Sequence, residues 1–416
     1  MIVSEGHSAA RCYDVIVIGG GLVGASLACA LAPLNLKIAL VEAVAFRTAS
    51  QPSYDDRTLA LSASSCRILE SIGVWPALQD NATPIREIHV RELNRPGHVI
   101  MNPADLGLDR FGHVVEARAF GAAMAAALPE LANLDLICPA AVQALHISDD
   151  QALIEYADEG GAGQLYGHLV VGADGAQSFV RDALGIETER HDYRQTAVIC
   201  NVTPEQDHRG RAFECFTPSG PFAVMPHVNG RCGLIWCVES DHADELLGLP
   251  DEEFLRLANK RFGNHLGAFI KLGRRSSYPL RLVRAVEDVR PRAVILGNAA
   301  HAIHPVGAQG FNLGLRDVAV LAEVLADAVR RDAVDAIGDI ELLRRYSAWR
   351  APDQEGTIAY SDGLARMFSN PSRVAAAART AGLLAHAFLP PLRRQLAVRA
   401  MGFRGRVPRL ALGEPL

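Results

Sequence analysis

The sequence predicts an α/β fold built on a Rossmann-like, doubly wound sheet, with an inserted mixed β-sheet domain and a helical C-terminal region. Three observations lead to this prediction. A βαβ pattern opens the chain, glycine-rich turns follow apolar strands at three distant places, and residues 193–284 alternate short β-rich runs with turn residues. At 416 residues the chain is long enough for two or three domains.

The βαβ pattern lies in the segment YDVIVIGGGLVGASLACALAPLNLKIALVEA. Apolar runs of strand length cover residues 13–18 and 37–41, and residues 22–32 between them have helical periodicity. A glycine turn separates the first strand from the helix. This order of elements is typical of the opening of a nucleotide-binding domain.

Gly19, Gly21 and Gly24 give that turn its Gly-x-Gly-x-x-Gly spacing, and Glu42 closes the second strand. The spacing lets the backbone approach a pyrophosphate at a helix N-terminus, while the carboxylate binds ribose hydroxyls. A tight turn without a ligand is the alternative, and the complete strand, helix and acid favour a nucleotide. Because the acid is not replaced by arginine, the ribose is expected to be unphosphorylated, as in FAD or NAD.

Two further glycine turns follow apolar strands later in the chain. The segment GHLVVGADGAQSFVRDALG runs from strand through turn to helix, with Asp174 and Gly175 in the turn. The run RAVIL is followed by a loop at residues 297–317 that holds two histidines, a proline and four glycines. We expect this loop to turn the chain or to hold a ligand against its backbone.

Two stretches do not follow this alternation of strand, glycine turn and helix. Between residues 193 and 284, Pro-Ser-Gly and Val-Asn-Gly turns separate β-rich runs, which predicts an inserted antiparallel sheet. After residue 317 the chain is predicted to be helical to its end, with interruptions at Pro352, Pro371 and the pair Pro390-Pro391.

The composition excludes several classes of protein. Apolar residues make up 49% and charged residues 21%, as in globular domains. No apolar run approaches the roughly 18 residues that a membrane span needs. The eight cysteines are scattered without a Cys-x-x-Cys pair or a secretory signal, so we expect a cytoplasmic protein. No Gly-x-Ser-x-Gly motif supports a hydrolase.

Charge is distributed unevenly along the chain. The net charge is −6, yet residues 363–413 contain nine arginines and no Asp or Glu. These helices are basic and amphipathic, which suits contact with the inner face of the cytoplasmic membrane, contact with another protein, or a solvated appendix. Nucleic acid is not expected, because the acidic body of the chain would repel it.

His301 and His304 form a His-x-x-His pair within the loop. A metal site needs three or four converging ligands, and no acid or cysteine accompanies this pair in the pattern that metal sites show. We therefore expect no metal. The pair His304 and Pro305 is instead expected to shape a ligand pocket.

Taken in order, the three glycine turns resemble the fingerprints of the class A flavoprotein aromatic hydroxylases. The third fingerprint of that family is similar to GNAAHAIHPVGAQGFNLGLRD almost throughout. The resemblance is greatest to the ubiquinone-biosynthesis hydroxylases, in particular the 2-polyprenyl-6-methoxyphenol hydroxylase branch. Segments DDRTLALSASSCRILESIGVW, RGRAFECFTPSGPFAVMP, GRCGLIWC and RSSYPL carry it along nearly the whole chain.

The resemblance implies a set of flavin-binding residues. Arg57 corresponds to an arginine near the cofactor, and Arg118 to a polar residue that approaches the pyrophosphate, although either could be a surface or capping arginine. The remaining implied contacts come from the second and third turns: Asp174, Gly175, Gly297, Asn298, Pro305, Gly310, Phe311 and Asn312.

Two positions depart from the family pattern. Asn298 stands where an Asp usually bonds the ribityl chain, and an amide keeps an acceptor there while losing the charge. The loop reads Gly-Ala-Gln-Gly at residues 307–310 where Ala-Gly-Gln-Gly is commoner, which moves one flexible position by a residue.

The resemblance also implies the activity. It implies an FAD-dependent monooxygenase in which reduced flavin and O2 form a C4a-hydroperoxide that hydroxylates a polyprenylated methoxyphenol, with the flavin reduced by transiently bound NAD(P)H or another donor. No side chain beyond the flavin is implied as the catalyst. Hydroxylation at another ring position, another aromatic substrate, and a non-catalytic flavin-binding scaffold of a biosynthetic complex remain open alternatives.

On this reading the FAD-binding domain is discontinuous. It is predicted to comprise residues 1–82, 100–190 and 286–360. The substrate domain is predicted at residues 83–99 and 191–285, and the helical, basic C-terminal region at residues 361–416.

Overall fold

A computed structural model describes residues 11–46, 57–370 and 372–416. Its strands are β1 (Arg11–Ile18), β2 (Ile38–Val41), β3 (Thr58–Ser62), β4 (Thr83–Ile85), β5 (Glu87–Glu92), β6 (His98–Met101), β7 (Gly112–Glu116), β8 (Leu134–Ile137), β9 (Ala140–Ile147), β10 (Ala152–Asp158), β11 (Gly161–Gly172), β12 (Thr188–Pro204), β13 (Arg211–Thr217), β14 (Gly220–Pro226), β15 (Cys232–Glu239), β16 (Phe269–Leu272), β17 (Ser276–Ala285), β18 (Val289–Arg290), β19 (Ala293–Ile295) and β20 (His301–Ala302).

The helices of the described residues lie between these strands and in the C-terminal region. They are α1 (Leu22–Leu31), α2 (Ala63–Ser71), α3 (Trp75–Leu78), α4 (Ala117–Ala127), α5 (Phe179–Ala183), α6 (Ala243–Gly248), α7 (Asp251–Phe262), α8 (Gly310–Val329), α9 (Ile340–Ser369), α10 (Arg373–Phe388), α11 (Pro390–Ala400) and α12 (Arg409–Leu412).

The sheet that carries the three glycine turns has β1 near its centre. β1 pairs in parallel with β2 and β11, β2 pairs in parallel with β8, and β11 pairs in parallel with β19. Strands β9, β10 and β18 extend this sheet with antiparallel pairing. Val15 and Val17 of β1 face a core shared with α1, α4 and α8, while Ile16 and Ile18 face a second core on the opposite side. A strand that is buried on both faces needs the continuous apolar run that the sequence shows.

The second sheet is the inserted one. Its strands run in the order β20, β17, β12, β15, β14, β13, β5 and β6, with β16 beside β12. The two turns named above do connect antiparallel neighbours, β13 with β14 and β14 with β15. The sheet is mixed, as predicted, because β13 lies parallel to β5, which comes from a distant part of the chain.

The two faces of this inserted sheet have different surroundings. One face packs on α6 and α7 around Phe213, Phe222 and Trp236, which are buried. The other face, which we call the open face, carries half-buried residues on neighbouring strands: Val90, Ile199, Glu214, Met225 and Ile235. Period-two alternation along each strand separates these two sets of side chains.

Two predictions about helices are wrong. The helix expected to begin after residue 317 begins at Gly310, so residues 310–317 are its first turns and not loop. Pro352 does not interrupt the chain, because α9 continues through it. Buried side chains on both sides of the proline, Arg350 and Thr357 among them, hold α9 against its neighbours, and this packing outweighs one missing backbone hydrogen bond.

The other predicted interruptions have separate outcomes. Pro390 is the first residue of α11, a position where its missing N–H costs nothing. Pro371 lies outside the described residues. In the parts of the chain that the structure describes, no helix is long and apolar enough to cross a membrane.

Candidate functional site

The three glycine turns start side by side at the carboxyl ends of adjacent parallel strands of the first sheet. Ile18 of β1 is in register with Gly172 of β11, and Gly172 is in register with Ile295 of β19. The next residue of each strand continues the ladder, because the Ala173 N–H donates to the Ile18 carbonyl at 2.8 Å and the Leu296 N–H to the Gly172 carbonyl at 2.9 Å. The carboxyl ends of parallel strands form the usual ligand crevice of such sheets.

The first turn brings backbone atoms so close together that only glycine fits at two of its positions. Gly19 has φ +99°, and a Cβ there would lie 2.5 Å from the Ala173 carbonyl oxygen of the second turn. A Cβ on Gly24 would lie 1.9 Å from the carbonyl oxygen of Gly19. Gly21 precedes α1, which has neither a side-chain cap nor an acidic residue in its first turn. The turn therefore leaves a cradle that a ligand anion can enter at the helix N-terminus.

Glu42 lies beside this cradle, as predicted for a ribose-binding acid. Its two carboxylate oxygens accept hydrogen bonds from the Gly20 N–H at 2.5 Å and from the Val44 N–H at 2.8 Å. The residue is 8% exposed. The backbone thus fixes the carboxylate at the rim of the turn.

The second turn presents a buried carboxylate with unused bonding capacity. Asp174 Oδ2 accepts from the Val180 N–H at 3.0 Å, while Oδ1 is buried and has no partner among the described residues. Gly175 beside it has φ +85°. A buried acceptor without a partner is costly, so a bound hydroxyl at Oδ1 would remove that cost.

Arg181 ties the second turn to the third. Its guanidinium is buried, and Nη1 donates to the carbonyls of Ala176 and Ala299 at 3.1 Å each. An arginine in the first turn of a short helix gives no sign in the sequence that it bridges two motifs. The structure therefore assigns it a role that the sequence did not reveal.

The third turn is anchored by a buried acid, Asp317, on α8. Asp317 Oδ2 accepts from His301 Nε2 at 2.6 Å and from the Gly297 N–H at 3.2 Å, and Oδ1 accepts from Arg350 Nε at 2.8 Å and Gln354 Nε2 at 3.1 Å. Burial by itself raises the pKa of Asp317, but His301 and Arg350 outweigh it and hold that pKa well below its usual range.

Asn312 joins the start of α8 to β3. Its Oδ1 accepts from the Ser62 N–H at 2.8 Å and from Ser65 Oγ at 2.7 Å, and its Nδ2 donates to the carbonyls of Ala60 and Ala308 at 2.8 Å each. The residue is 2% exposed. Since these four bonds use the whole amide, its side chain holds the wall of the crevice together.

His304 is buried in that wall. Its Nδ1 accepts from the Val306 N–H at 3.1 Å, so Nε2 carries the proton and donates to Gln195 Oε1 at 3.2 Å. Burial lowers the pKa of His304 to about 4, which keeps the ring neutral. Its ring also meets Tyr193 edge to face at 5.0 Å. His304 thus joins the third turn to the inserted sheet.

The other predicted residues of the third turn lie around this wall. Asn298 is exposed and Pro305 is half-buried. Gly310 is the first residue of α8, and the Phe311 ring meets Phe120 edge to face at 5.2 Å. Gly297 has φ +55° and packs against Val23 of α1.

The two predicted arginines, Arg57 and Arg118, lie beside the inserted sheet and on α4 respectively. The Arg57 guanidinium stands over the Tyr278 ring of the inserted sheet at 4.9 Å, and its carbonyl accepts from the Ala117 N–H at 2.9 Å. Arg118 is exposed in the first turn of α4. His301 and His304, the His-x-x-His pair of the sequence, are bonded to Asp317 and Gln195 respectively.

These features fit a flavin dinucleotide. The glycine cradle admits a pyrophosphate, Glu42 stands beside it, and Asp174 Oδ1 offers a buried acceptor to a hydroxyl of the bound group. Three turns on adjacent strands beneath a second sheet define the class of two-domain flavin-dependent oxidoreductases. When bound, FAD supplies electron transfer and oxygen activation.

Comparison with known proteins agrees with this class. A family model described as FAD binding domain matches residues 12–360. Ubiquinone hydroxylase UbiL of Rhodospirillum rubrum is 39% identical over 413 residues, covering 98% of this chain and 95% of the relative. The 3-demethoxyubiquinol 3-hydroxylase of Escherichia coli is 32% identical, covering 94% of this chain and 98% of the relative. The chain belongs to the family of FAD-dependent monooxygenases that includes these hydroxylases.

Solved structures confirm the fold. The p-nitrophenol 4-monooxygenase PnpA from Pseudomonas putida matches with a TM-score of 0.78 at 20% identity, covering 95% of this chain and 100% of that chain. This match confirms the predicted fold class, while the family model and the two relatives confirm the FAD cofactor and the monooxygenase class.

Proposed function

We propose that this enzyme hydroxylates the ring of a polyprenylated methoxyphenol in ubiquinone biosynthesis. The observation that carries the proposal is the open face, an apolar surface of half-buried side chains that looks toward the third turn. Phe216, on the same side of β13 as Glu214, packs with Val306 of that turn and stacks on Phe368 of α9. The names of the two relatives above support a quinone precursor as the substrate.

The residues of the chain divide the work between cofactor and substrate. The glycine turns and Asp174 would hold FAD, while the open face would hold the phenol ring and exclude water. The apolar open face suits a substrate with an isoprenoid tail, because each buried methylene adds about 0.8 kcal/mol of transfer free energy. NAD(P)H and O2 complete the reaction as co-substrates.

Deletion of the gene in its host tests the function. We expect a methoxyphenol or related quinone precursor to accumulate, and mass spectrometry of extracted lipids locates the missing oxygen. An unchanged quinone profile would contradict the pathway, and a precursor lacking oxygen at a different carbon would assign another ring position. Purified enzyme should reoxidise its reduced flavin faster with O2 when substrate is present, which a non-catalytic scaffold would not do.

We propose further that the enzyme lies on the cytoplasmic face of the membrane through the turn between α10 and α11. Much of the basic charge of the C-terminal region meets acids of the body, as in the pairs Arg379 with Glu92 at 2.9 Å and Arg393 with Asp105 at 3.1 Å. The turn itself exposes apolar side chains, with Phe388 at 77% and Leu389 at 50% exposure. Exposed apolar groups beside arginines suit the headgroup region of an anionic bilayer.

Point variants test this contact better than truncation, because loss of the C-terminal helices would remove Arg379, the buried partner of the buried Glu92. The double variant Phe388→Ser and Leu389→Ser should reduce co-sedimentation with phosphatidylglycerol vesicles, while Val374→Ser, which changes another exposed apolar residue of α10, should not. Equal sedimentation of both variants would contradict the membrane contact. Contact with another biosynthetic protein would instead show as complex formation lost in the double variant alone.

A further inference from the structure

A carboxylate stands among the apolar side chains of the open face. Glu214 lies in the middle of β13, in register with Val90 of β5 on one side and Ala223 of β14 on the other. The cross-strand row continues through Ile235 and Ile199. Burying a carboxylate in an otherwise apolar row costs free energy, which favours a chemical role for this position.

The carboxylate of Glu214 has an unused acceptor. Its Oε1 is buried and has no hydrogen-bond partner among the described residues, while the residue as a whole is only half-buried. Burial raises the pKa of Glu214 to about 7. A partly accessible carboxylate with an unpartnered oxygen can accept a proton from a molecule that binds against the open face.

The titratable groups around Glu214 come from its own strand, from β15 beyond the adjacent β14, and from α9. Cys215 and Cys237 are thiols whose pKa values are raised by burial, so they stay protonated. Burial, and to a lesser degree the Glu214 charge, raise the pKa of Tyr360 on α9 to about 12, while Arg399 opposes them. The Arg399 guanidinium lies 4.5 Å from the centre of the Tyr360 ring. Near neutral pH, Glu214 is therefore the group in this set that exchanges a proton.

The open face looks into the crevice of the flavin turns. Two residues along the same side of β13, Phe216 packs on Val306 of the third turn. On β15 of the same face, a Cβ at Gly233 would lie 2.0 Å from Oγ1 of Thr58, the residue that follows Arg57. Glu214 thus lies on the surface that the substrate ring must share with the flavin site.

We infer that Glu214 is the base that accepts the proton of the substrate's phenol hydroxyl. The inference rests on the proposed function. In the step, the phenol O–H bond breaks and an O–H bond forms on the Glu214 carboxylate. The electron pair stays on the phenolate oxygen and enriches the ring carbons ortho and para to it. That enrichment is what an electrophilic oxygen donor requires of its target.

The test compares Glu214→Gln with Glu214→Asp and with Glu239→Gln, an exposed acid on β15 of the same sheet. Holoenzyme is titrated with 2-farnesyl-6-methoxyphenol, and the ultraviolet difference spectrum reports bound phenolate. In wild type, phenolate and kcat/KM should both fall as the pH drops below about 7, because the base becomes protonated. Glu214→Gln should lose the phenolate signal and about 100-fold or more of kcat while keeping its FAD.

The other variants sharpen the result. Glu214→Asp should retain the pH dependence, and Glu239→Gln should match wild type. Unchanged phenolate and pH profile in FAD-loaded Glu214→Gln would overturn the inference alone. A wild-type enzyme that neither binds nor oxidises the probe would overturn the proposed function as well. If Glu214→Gln fails to fold, the wild-type enzyme still tests the inference. Absence of bound phenolate in wild type near neutral pH would overturn it.

Discussion

The first glycine turn and the third lie at the ends of strands in the same sheet, but different forces hold them. At the first turn, Gly19 and Gly24 bring backbone against backbone, and there is no room for one more carbon atom. At the third turn, Asp317, Asn312 and His304 reach partners that lie far away in the chain. The first turn depends on glycines, which have no Cβ atom. The third turn depends on polar groups that are buried and paired.

This difference determines how each turn fails. The first turn, which depends on close backbone packing, is disrupted when a side chain is added, whatever the pH. A polar turn fails when a partner is removed or changes its protonation, since an unpaired buried charge costs several kcal/mol. The effects of variants at the two turns should therefore differ in pH dependence as well as in magnitude.

The largest effect on flavin binding is expected from Gly24→Ala. The new methyl carbon would lie 1.9 Å from the Gly19 carbonyl oxygen, so α1 has to move away from the turn. We expect FAD affinity to fall at least about 100-fold, equivalent to about 3 kcal/mol, at every pH. Loss of visible flavin absorbance after gel filtration measures this.

Gly73→Ala is the matched control for that change. Gly73 also has a positive φ, +76°, but a Cβ there would meet nothing within 4 Å. It should cost about 1 kcal/mol of stability and leave flavin content unchanged. Yellow Gly24→Ala protein with full flavin content would contradict the steric account of the first turn.

The next effect is expected from Asp317→Asn. It removes one of the two carboxylates that pair with the buried Arg350, whose Nη1 also bonds Asp353 at 2.7 Å, so the free energy of unfolding should fall by about 3 kcal/mol. Because the folded pKa of Asp317 is depressed, its contribution is present above about pH 4 and is lost as the pH falls further. Urea unfolding of wild type and variant should therefore converge in strong acid.

Glu253→Gln serves as the control for Asp317→Asn. Its partner is Arg256 in an exposed pair on α7, and solvent screens such pairs so strongly that they contribute little to stability. A cost for Asp317→Asn as small as that of Glu253→Gln would show that the third turn does not depend on its buried acid.

The same difference explains what the sequence could predict. The first turn is local, so strand, glycines, helix and Glu42 could all be placed from their spacing. The start of α8 was missed because Gly310 and its neighbours have a loop-like composition, and only the bonds of Asn312 to β3 reveal why the helix begins there. Neither the partners of Asp317 nor the isolation of Glu214 leaves a periodic signal, because both depend on which segments meet in space.

His304→Gln should sharpen the comparison through pH alone. Wild-type His304 is neutral when folded, and burial lowers its pKa from 6.5 to about 4. Its unfolded form takes up a proton first, so stability is full above about pH 6.5 and falls by about 3 kcal/mol as the pH drops to about 4. Thermal unfolding across that range should show the slope in wild type and lack it in the variant. An identical slope in both proteins would locate the titration elsewhere.

The smallest effect is expected at Ala308, where the loop departs from the commoner Ala-Gly-Gln-Gly order. Ala308 has φ +51°, next to Gly307 at φ +70°, so an alanine occupies the left-handed region that favours glycine. Ala308→Gly should therefore raise the free energy of unfolding by up to about 1 kcal/mol. Ala82→Gly, at an extended position with φ −107°, should lower it by a similar amount, because glycine only adds freedom to the unfolded chain there. If both variants are destabilised alike, the third turn holds no local backbone strain, and its shape is set entirely by the paired groups beneath it.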